Sequence, residues 1–75
     1  MTPSELRYVR KTILKLSQQK LADKMGYKSK DSIGKMERPG ATIPGYFVNH
    51  LNFVCKEEGQ LMLIPEDLNT EQNKN

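Results

Sequence analysis

The chain has a single cysteine, a single histidine and no long apolar run. Cys55 lacks a partner for an internal disulfide, so nothing points to an oxidising compartment. His50 and Cys55 stand five residues apart with no further histidine or cysteine, which is too few ligands for a metal site and gives no basis for a Cys–His catalytic pair. A membrane-spanning run, a secretory leader and a glycine-rich phosphate loop are also missing. We therefore expect a cytoplasmic protein that is not an enzyme and binds no cofactor, metal, membrane or small molecule.

Basic residues dominate the first half of the chain and acidic residues the second. Residues 1–40 carry ten Lys and Arg against four Asp and Glu, a net charge of +6, whereas residues 41–75 have a net charge of −3. A basic end joined to an acidic end predicts a polyanionic partner on one side only. Ordinary solvated surface is the alternative explanation, and charge alone does not decide between the two.

Three short helices are predicted before residue 39. Thr2 and Glu5 have the spacing of a capping box around Pro3, and the apolar residues of this first helix follow at helical spacing: Leu6, Val9 and Ile13. Ser17 is the predicted N-cap of a second helix that ends at Gly26, with Leu21, Ala22 and Met25 as its buried face. Ser29 is the predicted N-cap of a third helix, with Ile33 and Met36 inward, which Pro39-Gly40 stops. The second and third helices have the layout of a helix-turn-helix, whose second helix enters the DNA major groove.

A fourth helix is predicted to open at Pro44, with a buried stripe of Ile43, Phe47, Leu51 and Val54, and to end at Gly59. The apolar run Leu61–Ile64 fits a strand, an extended arm against a partner or a short fifth helix. We therefore predict an all-α fold of about four to five helices. Residues 1–58 form the helix-turn-helix domain, residues 59–68 a C-terminal arm and residues 69–75 a disordered tail. The arm is hard to bury within one short chain, so the predicted homodimer contacts are Phe47, Leu61, Met62, Leu63 and Ile64.

Residues 16–38 resemble the lambda-repressor-like, Xre-type helix-turn-helix family of phage and bacterial regulators. The resemblance is carried by Leu16-Ser17-Gln18, Leu21-Ala22, Met25-Gly26, Ser29, Ile33 and Glu37-Arg38, and it extends over roughly residues 2–56. The chain departs from the family in four places, one of which is an extra residue in the turn Tyr27-Lys28-Ser29. Lys15 stands where the family usually has a glycine, one extra residue separates Arg10 from Leu16, and Lys20 replaces a common acid.

The resemblance implies the roles of several residues toward double-stranded DNA. Gln18 is expected to donate to a backbone phosphate at the start of helix two, with Gln19 and Lys20 beside it. Arg38 and Thr42 border the loop where family members make further backbone contacts. Arg10 and Glu37 are expected to form a structural ion pair that ties helix one to the end of helix three.

The residues predicted to project toward the DNA from the start of the third helix are Lys28, Ser29, Lys30, Asp31, Ser32 and Lys35. Lys35 lies one turn further on than the others and can reach a base or a phosphate. Lys30 can donate to guanine, Ser32 can donate or accept, and Asp31 can accept from cytosine. A first-turn acid such as Asp31 also interacts favourably with the helix dipole without any DNA. Gly34 is explained equally by tolerance on an exposed face and by close approach to DNA.

These observations predict a sequence-specific DNA-binding transcriptional regulator, most often a repressor, that binds an inverted-repeat operator as a homodimer. The acidic second half favours an alternative, a protein-interaction module on the same scaffold, such as an antitoxin or a phage inhibitor of a host protein.

Overall fold

A computed structural model describes residues 1–66 and 68, and these residues contain four α-helices, one π-helical segment and no strand. Helix α1 spans Pro3–Tyr8 and continues into the π-helical segment Val9–Ile13. Helices α2, α3 and α4 span Gln18–Met25, Asp31–Met36 and Gly45–Glu57. The predicted all-α fold is confirmed, whereas the predicted tail, residues 69–75, lies outside the described residues.

The N-terminal capping box forms as the sequence predicts. The Thr2 hydroxyl accepts a hydrogen bond from the Glu5 N–H at 3.2 Å, and the Glu5 carboxylate accepts one from the Thr2 N–H at 2.7 Å. Pro3 occupies the first helical position, where no N–H is needed. These contacts determine where α1 begins, and Leu6 and Val9 are then fully buried.

The π-helical segment after α1 is the part of the first predicted helix whose winding local sequence signals did not predict. The Leu14 N–H donates to the Val9 carbonyl at 2.8 Å, five residues back, and the Leu16 N–H donates to the Arg10 carbonyl at 2.9 Å. A π-helix closes its hydrogen bonds over five residues instead of four, so each hydrogen-bonded turn of this segment holds one more residue than a turn of an α-helix. Lys15, at the end of the segment, has a φ of +57°, in the left-handed region that favours glycine.

Helices α2 and α3 follow their predicted signals with one correction. Ser17 caps α2 by accepting from the Lys20 N–H at 3.1 Å, and Gly26 ends the helix with a φ of +84°. Helix α3 begins at Asp31, with Lys30 as the flanking residue, so Ser29 is not its N-cap. The Ser29 hydroxyl instead accepts from the Asp31 N–H at 3.1 Å, across the turn that leads into the helix.

The core collects one face of each helix, and α4 contributes the largest share. The predicted α4 stripe is confirmed, because Ile43, Phe47, Leu51 and Val54 are all buried. The Phe47 ring stacks on the Tyr27 ring at a centroid distance of 6.1 Å, which joins α4 to the turn between α2 and α3. Phe47 is only 1% exposed, so its predicted place on a dimer surface is wrong.

The C-terminal arm is neither a strand nor a helix over residues 61–64. Its side chains alternate: Met62 and Ile64 pack against the core, whereas Leu61 and Leu63 are 69% and 71% exposed. Alternation of this kind is typical of extended backbone. The arm therefore covers the core with one apolar face and leaves a second apolar face in solvent.

The left-handed conformation of Lys15 predicts that Lys15→Gly stabilises the domain. Left-handed backbone costs an L-residue about 1–2 kcal/mol, and the greater unfolded-state entropy of glycine removes part of that gain. The free energy of unfolding should rise by about 0.5–1 kcal/mol in a urea titration. As a matched control, Lys56→Gly in the last turn of α4 should lower it, by up to about 1 kcal/mol. A decrease in both variants would contradict the strain at Lys15.

Candidate nucleic-acid interface

A buried ion pair joins the first helical segment to the end of α3. Arg10 Nε donates to Glu37 Oε2 at 2.6 Å and Arg10 Nη2 donates to Glu37 Oε1 at 2.9 Å, so the pair is bidentate. Both side chains are under a tenth exposed. The third guanidinium nitrogen, Nη1, donates to the Leu16 carbonyl at 3.0 Å. The pairing predicted between Arg10 and Glu37 is present, and Arg10 also anchors the loop that enters α2.

Two further side chains complete this network. Gln18 Nε2 donates to Glu37 Oε1 at 3.1 Å, and Arg7 Nη2 donates to the Glu37 backbone carbonyl at 2.9 Å. The Arg7 guanidinium also lies 3.7 Å from the Glu37 carboxylate. The sequence analysis missed Arg7, although its position one turn before Arg10 on the same helix is the signal that could have found it.

The network lowers the pKa of Glu37. Burial acts to raise this pKa, but the hydrogen bonds from Arg10 and Gln18 and the positive charges of Arg10 and Arg7 together outweigh it. Glu37 is therefore a buried, fully paired carboxylate. Its position is structural, because its oxygens are occupied by groups of the protein itself.

The predicted DNA contacts lie on the solvent side of α2, α3 and the segments that flank them. Gln18, Ser29 and Ser32 are half-buried, and the other predicted contacts are exposed: Gln19, Lys20, Lys28, Lys30, Asp31, Lys35, Arg38 and Thr42. Two amides already have intramolecular partners, because Gln18 donates to Glu37 and Gln19 donates to Asp23 at 2.9 Å. Gln18 is thus a positioning residue as well as a predicted phosphate contact.

Most of the cations of the first forty residues form no ion pair among the described residues. Three of the ten form ion pairs within residues 1–66 and 68, Arg7 and Arg10 with Glu37 and Lys24 with Glu58. The remaining seven form none in this part of the chain, and five of them lie on α2, α3 or their flanking segments: Lys20, Lys28, Lys30, Lys35 and Arg38. Unneutralised cations around two short exposed helices are a surface suited to a polyanion.

A groove of about 350 Å³ lies along the solvent side of α3. It is lined by Asp31, Gly34, Lys35 and Arg38. One acid and two cations thus surround a glycine that has no side chain to fill the space. The groove is shaped by the helix that the sequence predicts to read DNA.

The exposed aromatic residues of α4 form a second surface. Tyr46 is 74% exposed and Phe53 is 57% exposed, whereas Phe47 of the same helix is in the core. Tyr46, Asn49, His50 and Phe53 follow one another at helical spacing, and no Asp, Glu, Lys or Arg occurs between Pro39 and Cys55. The sequence pattern predicted the core stripe of α4 but not this exposed stripe of uncharged residues.

His50 and Cys55, the two residues considered for metal or nucleophilic chemistry, differ in solvent exposure. Cys55 is fully buried and burial raises the pKa of its thiol, whereas His50 is exposed. Among residues 1–66 and 68, no group of three or more His, Cys, Asp or Glu side chains is placed to hold a metal ion. In the same part of the chain, no helix combines the length and apolar character that crossing a membrane requires.

Comparison with known proteins gives no relative: no family model, no curated protein and no solved structure matches this chain.

The depressed pKa of Glu37 predicts a specific loss of stability in acid. A carboxylate whose pKa is lower in the folded state contributes stability above its unfolded value, near 4.5, and loses it as the pH falls through the folded value. The free energy of unfolding, measured by urea titration across this range, should fall accordingly. The double variant Arg10→Met with Glu37→Leu has no buried charge and should lose this component of the acid dependence.

The single variant Glu37→Gln is the complementary measurement. It leaves Arg10 buried without a counter-charge, so it should cost about 3–5 kcal/mol, more than the double variant. If the double variant retains the full acid dependence, the low pKa of Glu37 is not its source.

Proposed function

We propose that the chain is a sequence-specific regulator of transcription that binds double-stranded DNA, most often as a repressor in the cytoplasm. The observation that carries the proposal is the pair of short helices, α2 and α3, joined at a left-handed Gly26, with five cations on or beside them that form no ion pair within residues 1–66 and 68. This arrangement supports the resemblance of residues 16–38 to the lambda-repressor-like, Xre-type regulators. In this proposal α3 enters the major groove and the start of α2 faces the phosphate backbone.

The two helices have different roles in binding. Lys20 and the amide groups at the start of α2 contribute affinity through phosphates, without regard to sequence. Lys30, Asp31 and Ser32 at the start of α3 contribute specificity through base edges. The Glu37 network holds the two helices in the relative orientation that both contacts require, since it joins Gln18 at the start of α2 to the end of α3.

Lys30→Ala tests the base contact. On a duplex recovered from a random pool with the wild-type protein, the variant should lose about 1–3 kcal/mol of binding free energy and relax its preference at one base pair in each half-site. Lys20→Ala should instead weaken binding to all duplexes alike and flatten the dependence on salt. Binding measured by anisotropy and selection of sites from the pool give both quantities.

Lys56→Ala is the matched control, because Lys56 is an exposed lysine on α4 in the acidic half of the chain. It should leave affinity and base preference unchanged. Wild-type binding that is insensitive to salt would contradict the proposal, and an unchanged base preference in Lys30→Ala would restrict Lys30 to phosphate contact.

We propose further that the chain binds an inverted repeat as a homodimer. Support comes from the exposed apolar residues Tyr46, Phe53, Leu61 and Leu63, which carry no charge and lie on α4 and the arm instead of on α2 and α3. Two copies of an uncharged surface can meet without placing like charges together, whereas two copies of the cationic surface cannot. Tyr46 and Phe53 replace the buried Phe47 in this interface.

Replacing Leu61 and Leu63 with Glu tests the interface. Both side chains are exposed, so the helical domain should stay folded, while the dimer dissociates and affinity for an inverted repeat falls. Sedimentation equilibrium and circular dichroism measure the two effects. Gln60→Glu, also exposed on the arm, is the control for added charge and should have a smaller effect.

The same apolar residues favour a second candidate function, a protein-interaction module that binds a different protein, as an antitoxin or a phage inhibitor of a host protein does. DNA titration separates the two functions. A wild-type chain that stays monomeric at high micromolar concentration, alone and with DNA, would exclude the homodimer and favour this alternative.

A further inference from the structure

Gly34 occupies the interior of α3, where glycine is one of the least favourable residues. Its backbone is not in the left-handed region, so no positive φ requires glycine there. A Cβ built at this position has its three nearest atoms at 3.6–3.9 Å, all of them in the Gln18 side chain, which is ordinary van der Waals contact. Nothing within the folded chain therefore explains the glycine.

The surroundings of Gly34 on the solvent side do offer an explanation. Gly34 lines the groove of about 350 Å³ together with Asp31, Lys35 and Arg38. Lys30 and Asp31 precede it by four and three residues, so they share its face of the helix. Gly34 is thus one turn beyond the predicted base contacts, half-buried beside the Gln18 side chain, and its lack of a side chain leaves the α3 backbone uncovered there.

We infer that Gly34 is a specificity-determining residue, at which the edges of base pairs in the major groove come into van der Waals contact with the α3 backbone. Glycine is the residue that permits such close approach of a backbone to a ligand. A methyl group at this position would lie against the Gln18 side chain, between α3 and the start of α2, and would hold α3 away from the bases that Lys30 reads. This inference rests on the proposed DNA-binding function.

Gly34→Ala is the test, with Gly45→Ala as the matched control. Gly45 is also a helical glycine without a positive φ, it lies at the start of α4, and a Cβ there meets no atom within 4 Å. Gly34→Ala should raise the Tm by roughly 4–8 °C, because alanine is the better helix residue and fits the folded chain. Gly45→Ala should raise the Tm by no more than this amount.

The two variants should differ in DNA binding. On a duplex recovered from a random pool with the wild-type protein, Gly34→Ala should lose roughly fivefold to a hundredfold in affinity, whereas Gly45→Ala should bind as the wild type does. On a scrambled duplex at low salt, both variants should match the wild type, because phosphate contacts remain. A protein that becomes more stable while losing specific binding cannot be explained by damage to the fold.

Three results would overturn the inference. Unchanged affinity of Gly34→Ala for the selected duplex would mean that α3 does not approach DNA at this residue, although the proposed function would stand. Equal losses on the selected and scrambled duplexes would place Gly34 against the phosphate backbone instead of the bases. If the wild type selects no duplex from the pool, the proposed function fails and the inference fails with it.

Discussion

The buried pair of Arg10 and Glu37 is the interaction on which the arrangement of the first three helical segments depends. The guanidinium uses all three nitrogens, two for the carboxylate and one for the Leu16 carbonyl, and Gln18 shares the carboxylate. The pair therefore connects the π-helical segment, the entry to α2 and the end of α3 at one point. A buried ion pair of this kind does not by itself imply high stability, since its desolvation cost offsets much of the attraction. Its geometric requirement is strict, however, because the planar guanidinium must meet both carboxylate oxygens at once while a third nitrogen reaches the Leu16 carbonyl.

The π-helical segment is understandable from the same constraint. Val9 and Arg10 are both buried, and Ile13 and Leu14 both pack against the core, so this stretch places adjacent residues inward in two successive pairs. With π winding, the second pair lies on the same side of the segment as the first pair. Lys15, whose φ is positive, then turns the chain toward α2. Arg10 lies in the π-helical segment and pairs with Glu37. The strained backbone of Lys15 therefore occurs at the end of the same segment that forms the buried ion pair.

Local signals predicted what depends on neighbouring residues in sequence. Four such features are present: the capping box of Thr2 and Glu5, the Ser17 cap, the left-handed Gly26 and the apolar stripe of α4. Each of them can be recognised from a short stretch of sequence. Three features depend on tertiary contacts: the π winding, the contact of Arg7 with Glu37 and the start of α3 at Asp31. Helix propensities of single residues carry no information about such contacts. Phe47 is a further example. Helical spacing identifies it as part of an apolar stripe, but only the tertiary structure shows that the stripe packs in the core and not against a partner. For the candidate DNA contacts, the sequence predicted exposure well and missed that Gln18 and Gln19 are held by Glu37 and Asp23.

The distribution of charge explains how so small a chain can present two different surfaces. Five cations around α2 and α3 form no ion pair in the part of the chain that the structure describes, whereas the exposed side of α4 from Gly45 to Cys55 carries no Asp, Glu, Lys or Arg. Lys24 is the exception on α2, and it pairs with Glu58 just beyond α4, so it is neutralised where the two surfaces approach each other. A polyanion and an apolar partner would therefore be attracted to different helices of the same core. The Glu37 network lies among α1, α2 and α3 and not in α4, so we expect changes confined to the exposed side chains of α4 and the arm to leave this network in place.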